Sequence, residues 1–163
     1  MPKLIKQSVI VENVWQTLEN NFEESIDNQA VLVPLERFLD NPNLVIGNAQ
    51  AGVWLDSDQG PERLAPFIEQ LALIAINFPK FADGRGYSYA RILRERFNFE
   101  GELRAIGDVL LDQLFYMKRC GFDAFAVRED KDIAVALTGL SDFTESYQAA
   151  SDETSPLFRR RSS

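Results

Sequence analysis

The sequence predicts an α/β domain of alternating strand–helix units with a mainly parallel sheet, either open and doubly wound or half-barrel-like. Three observations carry that expectation. Leu73–Phe78 is apolar at every position but Asn77 and stops at Pro79, the pattern of a strand covered on both faces. Apolar residues at helical spacing precede it at Leu64, Phe67, Ile68 and Leu71, and recur after it between Tyr87 and Phe97. Short Gly- or Pro-marked connections separate these periods, which favours parallel strands joined by right-handed crossovers.

In chain order, Lys3–Lys6 and residues 8–11 read as short strands. Val14, Leu18 and Phe22 recur at helical spacing in a mixed segment over 14–26. Residues 30–33 form a buried-strand candidate stopped by Pro34. A short helix over 35–39 then runs into the Asn41-Pro42-Asn43 turn. Residues 44–46 and 52–55 are further strand candidates. Pro61 and Glu62 suit the first turn of the helix that carries Leu64 to Leu71. After Leu73–Phe78 the pattern predicts a helix over 87–97, a strand over 102–106, a helix over 108–119 closed by Gly121, a strand over 122–127 and a last helix over 130–140.

With 163 residues, a hydrophobic fraction of 45% and twelve phenylalanines, the chain is expected to fold as one domain over 1–150, with a flexible tail over 151–163. A lone cysteine, Cys120, allows no internal disulfide and points to a reducing compartment. The N-terminal residues lack the apolar run of a secretion signal, and the stretch from Leu71 to Ile76 is too short to span a bilayer. A cytoplasmic protein without a membrane role is therefore expected. A net charge of −8 argues against nucleic acid as a partner. The absence of histidine removes the usual imidazole base and the commonest zinc and haem ligand, so carboxylates, Tyr, Lys, Arg and one thiol remain.

Ligands of parallel sheets gather at the carboxyl ends of the strands, which directs attention to three loops: 81–88, Gly107-Asp108 and 128–130. Asp83, Gly84, Arg85, Gly86 and Ser88 have the composition of an anion cradle, with glycines that admit close approach and a guanidinium beside a helix start. The alternative is a tight turn in which Arg85 pairs with Asp83 or Asp108. Neither a dinucleotide fingerprint nor a phosphate-binding Gly-Lys-Ser/Thr loop is present. Arg91 and Arg94, three residues apart, are expected on one helix face, as an anion-binding surface or as a solvated face beside Glu95 and Glu100. Asp108 and Asp112 are spaced to share the rim. Asp108 is either a helix cap or, with Tyr87, a general acid/base candidate. Cys120 closes a helix at its negative end and reads as a structural thiol.

The block from Phe81 to Ser88, together with Leu93-Arg94, Gly101-Glu102-Leu103-Arg104-Ala105, Gly107-Asp108-Val109-Leu110, Asp112-Gln113-Leu114 and Arg119-Cys120-Gly121-Phe122-Asp123, resembles a bacterial domain-of-unknown-function family. Its members are commonly labelled probable oxidoreductases involved in sulfite reduction. The resemblance extends to about Gln148 and supplies no catalytic residues. It implies an accessory protein of assimilatory sulfite reduction and cysteine supply that binds a small anion, sulfite reductase or the reductase's electron donor. The basic end Arg159-Arg160-Arg161 would assist such docking. The alternative it implies is an oxidoreductase holding a flavin or NADPH at the same rim.

Overall fold

The computed structural model describes residues 3–7, 9–22, 29–79, 84–109 and 113–127. Asp83, Asp112, the loop at 128–130, the helix expected over 130–140 and the tail 151–163 lie outside these residues. The described residues build a mixed α/β structure around one curled eight-stranded sheet of mostly parallel strands. The strands are β1 (Lys3–Lys6), β2 (Val9–Glu12), β3 (Gln16–Thr17), β4 (Val31–Pro34), β5 (Ala51–Leu55), β6 (Leu73–Phe78), β7 (Glu102–Gly107) and β8 (Ala124–Phe125).

Their spatial order is β2-β1-β8-β7-β6-β5-β4-β3. From β3 to β8 each strand lies parallel to its predecessor in sequence, with no reversal of order. A doubly wound sheet requires such a reversal, so the half-barrel alternative describes the winding. The β1–β2 hairpin closes the series by pairing antiparallel with β8 through Ile5↔Phe125 and Lys6↔Ala124.

The central strands are rich in Val, Ile and Leu because both of their faces are covered; β4 is buried at all four positions. Three α-helices and a 3-10 helix pack on one face. They are α1 (Leu35–Asp40), the 3-10 helix Pro61–Gln70, α2 (Arg85–Arg91) and α3 (Leu114–Cys120). Their buried residues, among them Phe38, Leu64, Ala90 and Met117, meet Val33, Val53, Ile74, Ile76 and Leu103 of the sheet in the main core. A smaller cluster on the opposite face joins Leu32, Leu73, Ala75 and Ile106 to Trp15, Trp54 and Ala126.

Several expected elements take another form. The segment from Gln16 is extended rather than helical: Gln16 N–H donates to Ala30 O and Leu18 N–H to Leu32 O, each over 2.9 Å, adding β3 to the sheet edge. The strand expected over 44–46 is instead the last residue of the 3-10 helix Pro42–Leu44, whose leading proline presets a helical φ, and the turn that follows it. Pro66 lies inside the Pro61–Gln70 segment and cannot donate to the preceding turn, so an α-helix gives way to a 3-10 helix there. The helix over 87–97 starts earlier, at Arg85, and passes into a π-helical turn, Ile92–Arg96, closed by Phe97 N–H on Ile92 O over 3.1 Å. Asp108 does not cap α3, whose flanking residue is Gln113.

Candidate functional site

The carboxyl edge of the sheet is assembled by register. Phe78 at the end of β6 stands opposite Gly107 at the end of β7, so the loops that follow these strands leave the sheet side by side. Asp108 N–H donates to Phe78 O over 2.8 Å and pins the β7 loop to the β6 end. Gly107 has φ +89°, and a side chain there would collide with Asn77 Oδ1 and Phe78 O, so only glycine fits this crossing.

Asp56, directly after β5, extends the same edge. Its Oδ1 accepts from Asn77 Nδ2 at 3.0 Å and from Ser57 N–H at 2.8 Å. Tyr89 of α2 donates its hydroxyl to Ser57 O over 2.8 Å, locking the β5 loop to the helix that starts beside β6. Asn77, Asp56 and Tyr89 thus hold three loops of one rim in fixed relation.

The sequence-predicted residues divide within this frame. Gly84, Arg85 and Ser88 are exposed at the start of α2 on the rim. Nothing lies within 4 Å of a side chain placed at Gly84, whereas Gly86 is buried and faces the Phe78 ring, with 2.8 Å to where a Cβ would stand. Gly86 therefore serves the close packing of α2 on β6. Tyr87 continues that contact: its ring lies 5.1 Å from Phe78 and 4.8 Å from Tyr116, in an aromatic column that also includes Phe122, 5.7 Å from Phe78. Gly107 and Asp108 complete the rim from β7.

Arg91 points elsewhere on α2, 3.5 Å from Glu95 and near Tyr116 and Cys120. Cys120 is fully buried, and burial pushes its thiol up against the opposing pull of Arg91 and a hydrogen bond with Tyr116. That places it with structural thiols.

Arg94 does not join the rim. Its Nε donates to Gly121 O at 2.9 Å, its Nη1 to Phe99 O and Gly101 O at 2.8 Å each, and its Nη2 lies 3.5 Å from Asp123. These partners precede β7 and β8, at the amino edge of the sheet. Burial pulls the guanidinium down and Asp123 opposes that. Burial likewise raises the Asp123 carboxyl, opposed by Arg94 and by the Leu103 N–H donated to it. Arg91 and Arg94 both turn toward the end of α3, Arg91 beside Cys120 and Arg94 at Gly121, so both side chains are engaged within the fold there.

A second constellation was not anticipated. Arg104, in the middle of β7, is 1% exposed and stands on the face opposite the helices. Glu102 Oε2 accepts from its Nε at 2.7 Å and from its Nη2 at 2.6 Å, while Lys6 Nζ lies 3.2 Å from the other oxygen of Glu102. The Trp15 ring covers the guanidinium at 4.9 Å. Nη1 is buried and has no hydrogen-bond partner among the described residues. Burial lowers the guanidinium's proton affinity, with Glu102 opposing it. The signal in the sequence is a charged residue two positions after Glu102 within an otherwise apolar strand.

Among the described residues no three His, Cys, Asp or Glu side chains are grouped so as to hold a metal, and no helix is long and apolar enough to cross a membrane. Residues 52–158 match the family model described as bacterial protein of unknown function DUF934. The chain belongs to that family. Its model begins within β5 and so takes in both the β6–β7 rim and the Arg104 strand, while the β1–β2 hairpin and β4 precede it. No curated protein matches the sequence.

Proposed function

We propose that this DUF934 protein is a cytoplasmic accessory factor of assimilatory sulfite reduction and cysteine supply. It acts by binding a small anion or the reductase at the rim formed by Gly84–Ser88 and Gly107-Asp108. The observation that carries the reading is the Phe78↔Gly107 register, which sets the ends of β6 and β7 side by side at the edge where parallel sheets bind ligands. Exposed Arg85 and Ser88 supply donors there, and the Asp56–Asn77 and Tyr89–Ser57 hydrogen bonds make the frame rigid enough to select a ligand. An accessory role agrees with a sequence free of histidine and of any nucleotide-binding glycine fingerprint.

The test is a thermal-shift series with sulfite, sulfate and phosphate, run with an absorption spectrum and with sulfite reductase as a binding partner. Stabilisation by an anion, or complex formation with the reductase, that is lost in Arg85→Ala supports the reading. A flavin spectrum, or stabilisation by FMN, FAD or NADPH alone, would replace it with the oxidoreductase alternative. No response to any of these sinks both.

A further inference from the structure

We infer that Arg104 anchors a second ligand site, on the helix-free face of the sheet, that takes a small carboxylate monoanion. A guanidinium offers five N–H donors in a planar fork. Glu102 occupies the side edge, Nε and Nη2, through one oxygen. The end edge, made of Nη1 and the second Nη2 hydrogen, is left for another acceptor, and Nη1 is buried without one among the described residues. Buried charged donors in folded proteins are almost always satisfied, so the open edge marks a place for an acceptor from outside the described residues.

Register shapes the surroundings. One row crosses the sheet through Trp54↔Ala75, Ala75↔Arg104, Arg104↔Ala124 and Ala124↔Lys6, and paired residues of a row point to the same side. Arg104 is therefore flanked by two alanines, beyond which stand Trp54 and Lys6. The alanines set only methyl groups beside the guanidinium, and the apolar neighbours Leu73 and Ile106 provide a low-dielectric floor. Charge selects the ligand. Lys6, Arg94 and Arg104 face Glu102 and Asp123, three positive against two negative groups, so one further negative charge balances the cluster. A planar two-oxygen monoanion matches both that charge and the free fork edge. Trp15, half-buried over the guanidinium, is the cover such a ligand displaces.

This site is separate from the rim, and its test keeps the two apart. The chain contains two tryptophans, Trp15 and Trp54, so intrinsic fluorescence of the full-length protein is titrated with acetate and with sulfate at constant ionic strength set by chloride. The expected result is a saturable change with acetate that persists in Arg85→Ala. It should weaken at least about tenfold in Arg104→Gln, equivalent to ~1.4 kcal/mol. Arg104→Lys keeps the charge without the fork and should also weaken it. In Trp15→Phe the fluorescence change should vanish while acetate still raises the melting temperature. Absence of any saturable response to acetate in the wild-type protein overturns the site, whatever the variants do. A response unchanged in folded Arg104→Lys does so as well, and tighter binding of sulfate than acetate overturns the carboxylate assignment.

Discussion

Arg94 and Gly121 are built for each other: the arginine Nε donates to the glycine carbonyl over 2.9 Å, and the arginine Cγ stands 2.5 Å from where a side chain on Gly121 would begin. Gly121 has φ +123°, outside the range of L side chains, and ends α3 so that the chain can turn into β8. One guanidinium thereby ties the end of α3, the approach to β7 and Asp123 into a single amino-edge clamp.

Removing that clamp should be costly. Arg94→Ala strips three backbone carbonyls of their donor and removes the cation 3.5 Å from the partly exposed Asp123 carboxylate. The expected loss is about 2–4 kcal/mol, most of it from the three carbonyls left without a donor, read from urea denaturation midpoints. Gly121→Ala, which strains the backbone and crowds the Arg94 stem, should cost about 1–3 kcal/mol. A loss below ~1 kcal/mol for Arg94→Ala would show the clamp to be dispensable.

The covered strands were legible because β4 and β6 combine β-branched residues with a proline stop, and β7 alternates charged and apolar residues up to Ala105-Ile106 before Gly107. The sequence hid β3 for an equally physical reason. Gln16 and Thr17 are exposed and polar, and the strand is held by main-chain bonds that leave no mark in side-chain pattern. The spacing of Val14, Leu18 and Phe22 suggested a helix, yet Val14 is 68% exposed and anchors nothing. The rim was legible where a loop directly follows a strand, as at Gly107-Asp108. Arg94 was misplaced because its partners are backbone carbonyls, at Phe99, Gly101 and Gly121, which side-chain pattern does not mark. Arg104 escaped notice because its meaning depends on its cross-strand neighbours, Ala75 and Ala124, which only the register reveals.

The glycines of the rim should respond in opposite ways to alanine. Gly107→Ala forces a positive φ on an L residue and drives a methyl into Asn77 and Phe78, where the Asp108–Phe78 hydrogen bond prevents the strand end from yielding. A destabilisation of about 2–4 kcal/mol is expected. Gly84→Ala meets open space at φ −73° and should change stability by less than ~0.5 kcal/mol. Thermal unfolding of the pair decides it: equal effects would mean that the Gly107 crossing is not under steric constraint.

Arg85→Ala offers the matching contrast to Arg94→Ala. Arg85 is exposed at the first position of α2, so its removal should alter stability by no more than ~0.5 kcal/mol. Under the proposed function the same change abolishes the anion-induced or reductase-induced thermal shift. Unfolding of Arg85→Ala at ordinary temperature would assign the residue to the fold instead.

Cys120 supplies a pH test whose sign follows from its burial. Its thiol is raised in the folded state chiefly because burial disfavours the thiolate, so folding favours the protonated form. The associated stability is fully present below the unfolded thiol's pKa of about 8.5 and is lost as pH rises through the folded value. Wild-type protein should therefore lose stability above about pH 8.5 more steeply than Cys120→Ala, which starts lower by about 1 kcal/mol for the lost packing but lacks this titration. Native protein should also react with a thiol reagent orders of magnitude more slowly than unfolded protein, since the sulfur is inaccessible as well as protonated. Rapid labelling of the native chain at pH 7, or parallel alkaline stability curves for the two proteins, would show that the Cys120 thiol is reachable and ionises as freely as it does in the unfolded chain.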